Sequence, residues 1–229
     1  MPVSRKDKSP KVAVVPAPGQ FPRRVVVVPV VRDESGSMAH WRQKQGEFIP
    51  AVGASLVEVG GPKVGQLVYI INVVISGGVV MTEFEPLAQA TDPEYTPDGQ
   101  TPIGTALKAV AEKCEEFFET KIFPEEVTVK NFEVLIVSDL KPTGETAEQT
   151  EEGLRAFTSM CAKYRGKVNL VGPAPEAMND ELAARLDLNE RGVKFLDADP
   201  KSILKITLDS LLNASRTSFG GSNPSIRIS

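Results

Sequence analysis

The chain has 229 residues, a size that suits one domain with a sizeable core. Its formal net charge of -4 argues against a general nucleic-acid binder, which needs a basic face to release counterions from phosphates. The longest apolar runs, VVVVPVV and LVYIINVVI, fall far short of the roughly 20 residues that span a bilayer, so no membrane span is expected.

Residues 1–22 carry Pro2, Pro10, Pro16, Pro18 and Pro22, with a cluster of charges between Arg5 and Lys11. No periodic apolar face forms from such a segment, and it reads as a flexible basic arm. Its apolar residues are broken by prolines, unlike the continuous apolar stretch of a secretory signal, so the expected setting is cytoplasmic.

Val25 to Val31 and Leu67 to Ser76 are β-branched runs, the pattern of strands covered on both faces. Pro29 removes a ladder donor from the first run, and a local bulge is expected there. Val79 to Phe84 follows SGG and predicts a strand returning as an antiparallel hairpin. In IGTALKAVAEKCEEFF, Ile103, Leu107, Val110, Cys114 and Phe117 recur at three- and four-residue steps, predicting an amphipathic helix. Phe132 to Val137 is the next strand. Thr146 and Gln149 then stand in capping-box spacing ahead of Leu154, Phe157, Cys161 and Tyr164, and that helix is expected to stop at Gly166. Strands at Val168 to Val171 and Val193 to Leu196 enclose a short helix around Glu181 to Leu188. A last helix starts at Asp199 and Pro200. Cys114 and Cys161 fall on apolar helix faces and read as free core thiols.

These elements predict an α/β fold: a doubly wound, mostly parallel six-stranded sheet with one antiparallel edge strand and helices on both faces. The domain spans residues 23–213, followed by a flexible Ser/Gly-rich tail over 214–229. In such sheets ligands bind beyond the carboxyl ends of the central strands. Three oxygen-bearing segments converge there by topology: Asp33, Ser35 and Ser37 after the first strand, Thr101 before a helix, and Asp139 after FEVLIVSD. Five oxygen side chains from three loops suit a hard divalent cation, Mg²⁺ first, with Mn²⁺ or Ca²⁺ as alternatives.

DESGSM fits the D-x-S-x-S signature of the von Willebrand factor A domain, DGQTPIGTAL resembles its threonine loop, and VLIVSDLKPTGE resembles its strand ending in Thr-Asp-Gly. The resemblance runs from about Arg24 to Leu212 and is strongest to bacterial cytosolic proteins of the tellurite-resistance TerY type, which act in stress response. It implies a metal-ion-dependent adhesion site (MIDAS) built on Ser35, Ser37 and Thr101 hydroxyls, with Asp33 and Asp139 binding directly or through water. It further implies that a partner protein's Glu or Asp completes the shell, and that a protein kinase and a PP2C-like phosphatase are among the partners. Ser138 and Leu140 stand where the family has threonine and glycine; Ser138 supplies a hydroxyl, whereas Leu140 calls for a different loop bend. In the tail, phosphates on Ser215, Thr217, Ser218, Ser222, Ser225 or Ser229 would meet Arg216 and Arg227 or a partner's basic patch.

Each segment also has a plainer reading. Thr101 before Pro102 fits an N-cap with proline at the first helical position. Asp33, Ser35 and Ser37 fit a tight turn capping the next helix, and Asp139 fits a loop acceptor. Glu34 is expected at the rim, solvent-facing or hydrogen-bonded, and with Trp41 is a candidate partner contact; packing of Trp41 against the first helix is the equal alternative. A serine-nucleophile triad finds a single histidine, His40, and no G-x-S-x-G elbow. The remaining enzymatic reading is Mg²⁺-dependent phosphotransfer or phosphatase chemistry with Asp33 as nucleophile and Lys141 nearby. It wants an acid/base carboxylate where Ser35 stands, so the chain is expected to be non-catalytic.

Overall fold

The computed structural model describes residues 24–60, 66–96, 99–121 and 128–197. The expected arm over 1–22, the helix from Asp199 and the tail over 214–229 lie outside the described residues. The strands are β1 (Arg24–Asp33), β2 (Gln66–Ile75), β3 (Val79–Met81), β4 (Glu85–Pro86), β5 (Thr128–Val137), β6 (Lys167–Gly172) and β7 (Lys194–Phe195). The helices are α1 (Arg42–Gly60), α2 (Ile103–Thr120), α3 (Ala147–Tyr164) and α4 (Asp180–Leu186).

One sheet runs in the order β3-β2-β1-β5-β6-β7, with β4 also paired to β2. β1 is parallel to both β2 and β5, β5 to β6, and β6 to β7. The described sheet thus has seven strands where six were expected. The returning strand expected over Val79 to Phe84 ends at Met81 as β3, and the added strand, β4, lies just beyond that segment; both are antiparallel to β2.

The valines of β1 divide between two cores. Val25, Val27 and Val31 join β2, β5 and β6 residues under α2, α3 and α4, a core that includes Ile71, Leu107, Val110, Phe157 and Leu182. Val26, Val28 and Val30 pack with Met38, Phe48 and Val52 on the α1 side. Burial on both faces explains why the run is continuously apolar rather than alternating. The apolar positions expected on α2 and α3 are all buried. Thr146 forms the expected capping box with Gln149. At the other end of α3 the left-handed residue is Arg165, at φ 55°, one before the expected Gly166. Gly166 is required for space instead, since a Cβ there would lie 2.7 Å from the Phe132 ring.

The bulge expected at Pro29 is absent from that position. The register shift of β1 against β5 falls between Val25 and Val26, whereas Val27 pairs with Phe132 and Val30 with Leu135 in unbroken register across Pro29. Cys114 and Cys161 are free and buried, as expected. Among the described residues no helix is long and apolar enough to cross a membrane.

Candidate metal centre

Sheet order brings the first and third oxygen-bearing segments together. From β1 the chain goes to β2 on one side and later to β5 on the other, so the boundary between β1 and β5 is where strand order reverses, the place where open α/β sheets bind ligands. Arg32 pairs with Val137, which sets Asp33 beside Ser138 at the carboxyl ends. Ser138 Oγ donates to Asp33 Oδ2 at 2.7 Å, and Ser35 N donates to Asp33 Oδ1 at 3.0 Å.

The Ser35 and Ser37 hydroxyl oxygens are 3.1 Å apart and hydrogen-bonded to each other. They do not cap the following helix: the 3₁₀ turn over Gly36–Trp41 has no side-chain cap bond, and α1 begins only at Arg42. Gly36 brings this loop against the Thr101 loop, where a Cβ would stand 3.5 Å from Gly99 Cα. Thr101 caps nothing either. The N-cap of α2 is Pro102, without a side-chain bond, and the exposed amides of its first turn go to Glu145 from a distant loop. Asp139 does take the loop-acceptor role, receiving Lys141 N on Oδ1 at 3.0 Å, while its carbonyl accepts from Asn179 N at 2.9 Å.

Asp33 and Ser35 are fully buried, Thr101 and Asp139 nearly so, and Ser37 alone of the five is exposed. Burial pushes the Asp33 carboxyl above its ordinary range, and the charge of nearby Asp139 adds to that, against the hydrogen bonds from Ser138 and Ser35. Among the described residues no cationic side chain forms an ion pair with Asp33 or Asp139. Nor do three His, Cys, Asp or Glu side chains gather there as a metal site. The donor set is therefore hydroxyls with two carboxylates, which is the chemistry of a hard cation. The 3.1 Å between Ser35 Oγ and Ser37 Oγ also matches the separation of about 3 Å between adjacent ligands of an octahedral ion with bonds of about 2.1 Å. The residues present fit a divalent ion.

Leu140 meets its position differently from the expected change of bend. It holds a left-handed conformation itself, at φ 56°, a region glycine enters freely and a leucine at a cost of about 1–2 kcal/mol. Its side chain is 1% exposed in the α2–α3 core, and that burial offsets the strain. Leu140 N donates to Ser138 Oγ at 2.9 Å, which keeps the loop tight beneath Asp33.

Of the two expectations for Glu34, the hydrogen-bonded one holds and the solvent-facing one does not: the residue is 5% exposed. Its carboxylate accepts from Arg42 Nε at 3.1 Å and bonds Tyr95, while Arg42 Nη2 reaches the Glu34 carbonyl at 3.1 Å. That makes it an internal strut of the site loop. Trp41 is half-buried against the α1-side core, with His40 edge-on at 5.2 Å and Lys44 over its ring at 5.1 Å. It combines the packing role with an accessible edge. Thr143, Glu145, Arg42 and Tyr95 were not singled out from the sequence; their partners lie up to 61 residues away along the chain, and no local pattern marks them.

No protein-family model and no curated protein matches the chain. Solved structures do. Proximal thread matrix protein 1 from the mussel byssus matches at 19% identity over 80% of this chain and 48% of its own, with a TM-score of 0.55. The same protein with a zinc-occupied MIDAS motif matches at 16% identity over 84% and 47%, at 0.54. A von Willebrand factor type A protein from Catenulispora acidiphila matches at 13% identity over 83% and 43%, at 0.55. Manganese-loaded TRAP protein of Plasmodium vivax matches at 14% identity over 80% and 72%, at 0.54. The chain spans less than half the length of the mussel and Catenulispora proteins. At these identities the likeness shows the fold alone: the chain has the fold of a von Willebrand factor type A domain.

Proposed function

We propose that residues 23–213 form a non-catalytic, metal-dependent protein-interaction module. Asp33, Ser35, Ser37, Thr101 and Asp139 hold one divalent cation, Mg²⁺ first and Mn²⁺ or Ca²⁺ as alternatives. A Glu or Asp of a partner protein completes its shell. The observation that carries this reading is the pair of Ser35 and Ser37 hydroxyls, at the spacing of adjacent metal ligands, beside a buried carboxylate that no cationic side chain among the described residues pairs with. The ion supplies the missing positive charge. With neutral hydroxyls as direct ligands and aspartate bound through water, the ion keeps net positive charge at its open position, so an incoming carboxylate gains strongly. Exposure of Ser37 leaves that approach open. The zinc and manganese carried by two proteins of this fold support the reading.

Asp33 as a phosphoryl nucleophile fits less well, because its side chain is fully buried and both oxygens already accept hydrogen bonds. A phosphoester panel with Mg²⁺ should stay intact. The resemblance to the TerY type further supports a cytoplasmic setting in a bacterial stress response, with a protein kinase or a PP2C-like phosphatase among the partners. Trp41, half-buried and with an accessible edge, is the aromatic assigned here to a partner contact. The test is Mn²⁺ binding followed by electron paramagnetic resonance, together with capture of partners from native lysate with and without EDTA. Asp33→Ala and Asp139→Ala should abolish both; capture at full strength in EDTA would refute the mechanism.

A further inference from the structure

Thr101 and Asp139 stand on different loops, and hydrogen bonds make those loops one clamp. Thr101 N donates to Thr143 Oγ1 at 2.8 Å, and Thr143 N donates back to the Thr101 carbonyl at 3.0 Å. Two residues on, Glu145 Oε1 accepts from Gly104 N at 2.7 Å and from Thr150 Oγ1 at 2.8 Å. Its Oε2 accepts from Thr105 N at 3.0 Å and Thr105 Oγ1 at 3.1 Å. One carboxylate therefore satisfies the open amides of α2, opposes the positive end of that helix, and ties it to the first turn of α3. The helices meet without side chains at this point: a Cβ on Gly153 would run into the Gly104 carbonyl, and one on Gly104 into the Thr150 backbone.

We propose that Glu145 is a positioning residue for the metal centre, setting where the Thr101 hydroxyl stands relative to Asp139. This rests on the metal reading above. Thr101 lies two residues before α2 and its side chain anchors nothing there, so its place is inherited from the helix start and from Thr143. A small, geometrically strict ion tolerates ligand displacements of only about 0.5 Å. Loss of the Glu145 carboxylate frees two backbone donors and one hydroxyl of α2 at once, and the helix start shifts toward whatever water can satisfy them.

The test is Mn²⁺ titration by electron paramagnetic resonance on the full chain, with folding checked by circular dichroism. Glu145→Ala and Thr143→Val should weaken Mn²⁺ binding by about 10- to 100-fold, the usual effect of removing a group that orients a metal ligand. Glu145→Gln keeps one acceptor oxygen and should fall between. Lys108→Ala serves as control, because it removes the surface bond of 2.8 Å from Lys108 Nζ to Glu152 that joins the same two helices away from the ligands. It should leave Mn²⁺ affinity unchanged. A folded Glu145→Ala protein that binds Mn²⁺ as tightly as wild type overturns the proposal, as does an equal loss in the Lys108→Ala control. Where Glu145→Ala does not fold, Thr143→Val decides, and unchanged affinity there overturns it. A wild-type protein that binds no Mn²⁺ would refute the metal reading itself, a separate result.

Discussion

Asp33→Asn should make the metal-free protein more stable while removing its response to divalent metal. In the wild type the carboxylate is fully buried, faces the charge of Asp139, and among the described residues is met by hydrogen bonds from Ser35 and Ser138 but by no cationic side chain. An uncompensated buried charge of this kind costs about 3 kcal/mol. Asparagine keeps the acceptor for Ser35 N but reverses the bond to Ser138, whose oxygen then accepts from both the new amide and Leu140 N. The Ser138 hydroxyl proton is left over, a loss of about 1 kcal/mol. The net gain of about 2 kcal/mol corresponds to about 4–8 °C in Tm for a chain of this length. With Mg²⁺ at about 1,000 times its Kd, the wild type gains about 4.1 kcal/mol and the variant nothing, so the two melting curves exchange order. Thermal denaturation by circular dichroism, in EDTA and then in excess Mg²⁺, reads both halves. A variant that melts below the wild type in EDTA, or a wild-type curve indifferent to metal, would refute the reasoning.

Three further outcomes rest on separate observations. Gln45 is fully buried with neither amide atom hydrogen-bonded, so Gln45→Met should stabilise the protein by about 1–3 kcal/mol in urea unfolding; destabilisation would mean the amide is bonded in solution. Gly153→Ala forces α2 and α3 apart and should cost about 3 kcal/mol by the same measurement, with weaker Mn²⁺ binding as Thr101 moves with α2. Burial pushes the Cys161 thiol up to about 12 and the Cys114 thiol well above its ordinary value, so neither should react with a thiol reagent at neutral pH until the protein unfolds. The sign for stability follows. Above about pH 9 the unfolded thiols ionise while the folded ones keep their protons, so folding stability should fall as pH rises through that range.

What could be read along the chain depended on how far each signal reaches. The capping box of Thr146 and Gln149 and the apolar faces of α2 and α3 are legible because their partners lie within one or two turns. The double burial of β1 is legible because both faces are apolar. The three oxygen-bearing segments were likewise visible, since each terminates a strand or opens a helix. The end of the returning strand at Met81, the separate pairing of β4 after it, and the place of the bulge at Val25 and Val26 rather than Pro29, were not, because ladder register belongs to two strands at once.

The same limit governs the site. Composition and local pattern alone determined an α/β sheet with carboxylates and hydroxyls at its rim. Only the tertiary structure decided that Glu145, 40 residues beyond Thr105, caps α2 in place of Thr101, that Glu34 turns inward to Arg42, and that Leu140 takes a left-handed turn to bury its side chain. The physical reason is that caps, struts and strain are settled by competition among groups far apart in the chain, which meet only after the sheet has set its strand order.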